Sequence, residues 1–181
     1  MKAYILLAEG FEEVEAIVPY DILHRARVDV QMVSVTGQPV VTSSHGVPVT
    51  ASLAIATADL SDGDMIFLPG GSLRLRDSEE ALAAVRRYDA AGKWIAAICA
   101  APMILGQMGL LRGRKATCFP GFEQDLLGAE FQRKTVVRDG HIITACGAGA
   151  AFAIGREMAA ALVGEDTANA VLRQMMFQVY E

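Results

Sequence analysis

The chain has few cysteines and no clustered positive charge, and each shortage removes a class of protein. Cys99, Cys118 and Cys146 are the only 3 cysteines in 181 residues. An odd count without short spacings fits neither a secreted disulfide framework nor a structural zinc site. Lys and Arg number 16 against 21 Asp and Glu, a formal net charge of −5. No basic stripe forms, so nucleic-acid binding has no electrostatic footing. Charged residues are 20% of the chain and hydrophobic ones 52%, which excludes a disordered protein. The N-terminal MKAYILLAEGFEE meets its first acids too early for a secretory leader, which needs ~7–15 apolar residues and then a small-residue cleavage site. The cytoplasm is the default expectation. No repeat, low-complexity tract or linker interrupts the chain. Its length suits one domain over 1–181, since domains usually hold ~100–200 residues.

What is present is an alternation of strands and helices. Residues 3–8, 28–36, 47–52, 64–68, 94–98 and 115–118 read as strands, and 134–145 as a hairpin turning at Asp139-Gly140. Helices are predicted over 12–27, 78–93, 147–164 and 165–180, with a short one over 121–127. Ser78 is placed as an N-cap and Gly92 as a stop. In the first helix, Val14, Ile17, Val18 and Ile22 form the expected apolar stripe. This pattern predicts an α/β fold with a mostly parallel central sheet covered on both faces.

One uncharged run, WIAAICAAPMILGQMGLL (94–111), approaches the ~20 residues of a membrane span. Pro102 argues against a continuous helix, because proline is tolerated at a helix start and not inside. Gly106, Gln107 and Gly109 weaken the span further, and cations at both ends give no orientation. The run therefore splits into a strand over 94–98, a turn at Cys99 and a helix from about residue 100 to 108.

A sulfur on such a turn stands at the carboxyl edge of the sheet. The next N–H, that of Ala100, is placed to hold an oxyanion, and the helix dipole is expected to lower the thiol pKa. The alternative is that Cys99 is a small buried hydrophobe. LPGG ends another predicted strand, and its Gly70 and Gly71 let backbone approach a ligand there. On a helical wheel Glu15 falls within the apolar stripe, where a carboxyl needs a partner or a proton. A solvated glutamate at the helix edge is the other reading.

LAEGFEEVEAIVPYDILHRA, LPGG and AAICAAP, in this order and spacing and with HIITACGAGAAFAIG, resemble the ThiJ/PfpI superfamily and its DJ-one-like clade. The resemblance implies a flavodoxin-like three-layer sandwich, a nucleophile elbow and a homodimer. It implies Cys99 as reactive cysteine, a Glu15 carboxylic acid hydrogen-bonded to its sulfur, and oxyanion-binding N–H groups from Gly71 and Ala100. It implies no cofactor. Gly70, His45, Cys118, Phe119 and Cys146 are placed at the site periphery. Ala100 stands where the protease-like branch carries histidine, which argues against a peptidase. Cys118 and Phe119 occupy the region where some members carry another histidine. Cys146 and His45 stand where some members carry arginines.

The expected activity is that of a cysteine-dependent glyoxalase or deglycase acting on a small carbonyl substrate, a 2-oxoaldehyde or its early protein adducts. The alternative is a redox-sensing, oxidative-stress-response or chaperone protein built on the same cysteine. Cys118 or Cys146 could resolve an oxidised Cys99, or simply pack. His24 is expected at the surface or in a dimer contact and His141 at the surface, and no metal-ligating constellation is visible in the linear sequence. Met175 to Phe177 are expected to pack.

Overall fold

The structure, a computed structural model, describes residues 1–177. Residues 178–180 of the last predicted helix lie outside the described residues. The order begins β1 (Lys2–Leu7), α1 (Glu13–Arg25), β2 (Asp29–Ser34), β3 (Val40–Thr42), β4 (Pro48–Thr50), β5 (Leu53–Ala54) and β6 (Met65–Leu68). It continues through α2 (Glu79–Ala90), β7 (Trp94–Ile98), α3 (Pro102–Gln107), β8 (Lys115–Ala116) and β9 (Glu130–Phe131). It closes with β10 (Val136–Asp139), β11 (Ile142–Ala145), α4 (Ala151–Val163) and α5 (Glu165–Gln174).

Seven strands form the central sheet in the order β10-β11-β7-β6-β1-β2-β5, parallel except at the edge pair β10-β11. Strand side chains alternate between its two faces. Ile5, Leu7, Phe67, Ala96 and Ile98 pack on the side of α1 and α4. Tyr4, Leu6, Ile66, Leu68, Ile95 and Ala97 pack on the side of α2 and α3. Both faces are covered, which is why these strands read as unbroken apolar runs. From β1 the chain steps to β2 on one side, then returns to β6 and β7 on the other. That reversal lies between β1 and β6, and sheets of this kind bind ligands at the carboxyl ends of the strands around such a point.

Several sequence expectations need correction. Val14 and Ile17 are exposed at 42% and 40%, whereas Ile22 and Glu15 are buried as expected, Val18 is partly buried, and α1 also buries Ala16, Pro19 and Leu23. The expected stripe was too wide on one side, because periodicity counts an apolar residue whether or not the core covers it. The short helix of 121–127 is only a 3-10 turn at Glu123–Asp125. β8 pairs with β9 in a separate small sheet rather than joining the central one. α3 begins at Pro102, so Ala100 and Ala101 belong to the turn. His141 is only partly exposed, its Nε2 lying 2.8 Å from Asp89 Oδ1. The run 94–111 divides as its proline required, and among the described residues no helix is long and apolar enough to cross a membrane. Phe177 stacks on Phe152 with ring centroids 4.7 Å apart.

Candidate active site

β7 ends at Ile98, and the next residue, Cys99, has φ 64°, a left-handed backbone that a non-glycine residue adopts at a cost of about 1–3 kcal/mol. The turn is held on both sides. Cys99 N–H donates to the Ala145 carbonyl at 2.9 Å, and Phe119 N–H donates to the Cys99 carbonyl at 2.8 Å. Ala100 and Ala101 are buried, so the bend is packed as well as hydrogen-bonded.

The second component comes from α1. Glu15 is fully buried, and its Oε2 accepts the Gly70 N–H at 2.8 Å. Its Oε1 has no hydrogen-bond partner among the described residues. A buried polar atom left unpaired is costly, so Oε1 favours a proton or a hydrogen-bond donor. Burial raises the Glu15 pKa to about 7, with the Gly70 N–H and the neighbouring thiol acting the other way.

Gly70 and Gly71 bring the two components together. A Cβ on Gly70 would lie 2.6 Å from both Cys99 Cβ and Glu15 Oε2, so the thiol-bearing turn and the carboxyl converge on one bare backbone position. Gly71 has φ 88°, and a Cβ there would lie 2.5 Å from Glu12 N and Gly10 O. Glu12 N–H donates to the Gly70 carbonyl at 3.0 Å, which ties the first turn of α1 to this loop. Gly70 was assigned to the periphery from sequence, but its N–H sets the orientation of Glu15. Only the fold could reveal this, since the two residues lie 55 positions apart.

Burial, then the charge of Glu15 and its hydrogen bond, push the Cys99 thiol up to about 12. The N–H groups of Ala100 and Gly71 face the sulfur and oppose that rise. The expected lowering of the pKa by a helix dipole is therefore reversed, because α3 is only six residues long and the sulfur is half buried beside an acid. The carboxyl and the thiol, both brought against Gly70, disfavour a negative charge on each at once.

The peripheral residues divide. Phe119 is 45% exposed, and a Cβ on Gly147 would lie 3.1 Å from its ring. Cys146 is half buried on the α1 side, and Cys118 is buried on the α2 side. His45 makes its side-chain contacts with Ser44 and the acids at the start of α1. Its Nδ1 lies 2.8 Å from Glu13 Oε1 and 3.2 Å from Ser44 Oγ on an exposed rim. Glu12, Glu13 and His45 bring possible ligand atoms within 4.8 Å of one another, a grouping hidden in the linear sequence. Their contacts with Ser44 and with one another account for the cluster.

The fold and the strained cysteine turn define a class, an α/β protein with an elbow thiol at the carboxyl edge of its parallel sheet. The model of the DJ-1/PfpI family matches residues 1–161, and the chain belongs to that family. It is 31% identical to protein dj-1beta of Drosophila melanogaster over 97% of this chain and 96% of that one. It is 35% identical to a deglycase of Pyrococcus abyssi over 87% of this chain and 96% of that one. The solved structure of oxidized Toxoplasma gondii DJ-1 superposes with a TM-score of 0.94 at 31% identity, covering 98% of each chain.

Proposed function

We propose that this protein is a cysteine-dependent, cofactor-independent enzyme acting on small 2-oxoaldehydes such as methylglyoxal, or on their early protein adducts. The carrying observation is the convergence of the Cys99 turn and a buried carboxyl with an unpaired oxygen on the Gly70-Gly71 backbone. The deglycase names of relatives at about 35% identity support a carbonyl substrate.

The high pKa of the thiol makes free thiolate scarce, so attack must be coupled to proton removal. Ionised Glu15 takes the thiol proton as sulfur adds to the aldehyde carbon, giving a hemithioacetal. The N–H groups of Gly71 and Ala100 hold the oxyanion that develops. Glu15 passes that proton to the oxyanion, completing the hemithioacetal, and, ionised again, relays the C1 proton to C2 through an enediol, leaving a thioester of the 2-hydroxy acid. Water cleaves the thioester and regenerates the thiol. The net reaction adds one water to the oxoaldehyde and consumes no external oxidant or reductant.

Incubation of the purified protein with methylglyoxal should yield lactate over many turnovers, with loss in Cys99→Ala. Undiminished lactate formation in that variant overturns the proposal, and a single oxidation event per thiol without turnover favours the redox-sensor alternative. We further propose a homodimer, supported by exposed Val14 and Ile17 on α1 with Val40 and Val47 on the adjoining hairpin. Sedimentation equilibrium showing only monomer at micromolar concentration excludes it.

A further inference from the structure

We infer that Cys118 and Cys146 form a second thiol site, separate from Cys99, that closes to an intramolecular disulfide by exchange with a small anionic disulfide. The two side chains line one cavity of about 240 Å³ at the carboxyl edge of the sheet, and neither is in a disulfide. They reach it from opposite sides, Cys146 with the α1–α4 packing and Cys118 with the α2–α3 packing.

Backbone hydrogen bonds hold the pair in place. Cys146 N–H donates to the Thr135 carbonyl at 3.1 Å. Thr117 N–H donates to Thr144 Oγ1 at 3.0 Å, and Thr117 Oγ1 donates to the Lys134 carbonyl at 2.9 Å. Phe119 N–H is tied to Cys99. Both neighbours of Cys118 are thus anchored, the first to β11 only two residues before Cys146.

The rest of the wall selects the partner. Arg133 and Lys134 line the cavity, are exposed, and make no ion pair among the described residues. Phe131 adds an apolar surface, and Glu123, which accepts the Gly121 N–H at 2.8 Å, contributes one negative charge that the two cations outweigh. Two free cations beside two thiols suit a carboxylate-bearing disulfide of low molecular weight. Cys99 does not line this cavity, because its Cβ faces Gly70 and Glu15 on the far side of β7.

Exposure sets the order of events. Cys146 is half exposed and attacks first, as thiolate, on one sulfur of the small disulfide. A mixed disulfide forms at Cys146 and one small thiolate leaves. Cys118 is buried, its thiol pushed up to about 12 chiefly by that burial, so it reacts only intramolecularly. It loses its proton, attacks the Cys146 sulfur and releases the second small thiol. Two electrons pass from the protein dithiol to the small disulfide, yielding two small thiols.

Glutathione disulfide is the probe. The protein is equilibrated in buffers of rising oxidised-to-reduced glutathione ratio, free thiols are alkylated, and tryptic peptides are mapped. Each cysteine falls in its own peptide, Cys99 in 94–112, Cys118 in 116–133 and Cys146 in 139–156. The expected result is loss of two of the three alkylable thiols, with peptides 116–133 and 139–156 linked. The same link should form in Cys99→Ala, whereas Cys118→Ala should retain a glutathione adduct on Cys146. A link through peptide 94–112, a lasting adduct on Cys146 in the unaltered protein, or three free thiols at the most oxidising ratio would each overturn the inference. None of these outcomes depends on turnover of methylglyoxal.

Discussion

Replacing Glu15 with glutamine should stabilise this protein at alkaline pH while removing its proposed proton carrier. Glu15 is fully buried, and its pKa rises from an ordinary 4.5 to about 7. The folded state therefore holds a proton that the unfolded state releases. A raised pKa means that the protonated carboxyl stabilises the fold fully below about pH 4.5, and that this stability is lost as pH climbs through about 7. Between about pH 5 and pH 8 the loss integrates to about 2.5 kcal/mol, taking 1.36 kcal/mol per pKa unit. Glutamine stays neutral, and its carbonyl can still accept the Gly70 N–H. The stability of Glu15→Gln minus that of the unaltered protein should thus rise by about 2.5 kcal/mol between those two pH values. In thermal melts at the higher pH this amounts to several degrees, since ~1 kcal/mol shifts a chain of this size by ~2–4 °C. Urea unfolding of both proteins at each pH gives the difference directly, and other titrating groups cancel. Lactate formation should fall by about 10²–10⁴-fold in the same variant. A stability difference that does not change with pH would refute the raised pKa and with it the coupled proton transfer.

Three further expectations follow from the same geometry. The rate of methylglyoxal conversion, as kcat/KM, should increase through about pH 7 as Glu15 ionises and becomes able to take the thiol proton; a profile flat from pH 5 to 8 contradicts that role. Cys99→Gly should be more stable than Cys99→Ala by about 1 kcal/mol in urea unfolding, because only glycine relieves the positive φ; equal stabilities would show the turn to be unstrained. Gly70→Ala should cost about 1–3 kcal/mol by overpacking and also depress activity, since its Cβ would displace Cys99 and Glu15 together. An unchanged melting temperature with unchanged turnover would mean that the loop yields freely.

The site was partly legible because its strand-to-helix turn has a local signature. An apolar run that must break at Pro102 puts a cysteine on a bend, whatever the rest of the chain does. Glu15 was legible for a similar reason, since a helical wheel needs only the sequence. The wheel nevertheless placed Val14 and Ile17 in the core, and they are exposed. Local periodicity cannot distinguish an apolar residue facing the core from one on an open face.

By itself, the order of residues determined the alternation of buried strands and helices, the break after Ile98 and the separate candidacies of Cys99 and Glu15, because each depends on short-range pattern or on backbone chemistry; that the two belong together was implied by the family resemblance alone. Only the tertiary structure decided that Gly70 anchors the carboxyl, that the thiol is pushed up rather than down, that His45 joins Glu13, and that Cys118 and Cys146 share a cavity. Those properties arise from burial and from contacts between segments far apart in the chain, which become defined only once the sheet has closed its two faces.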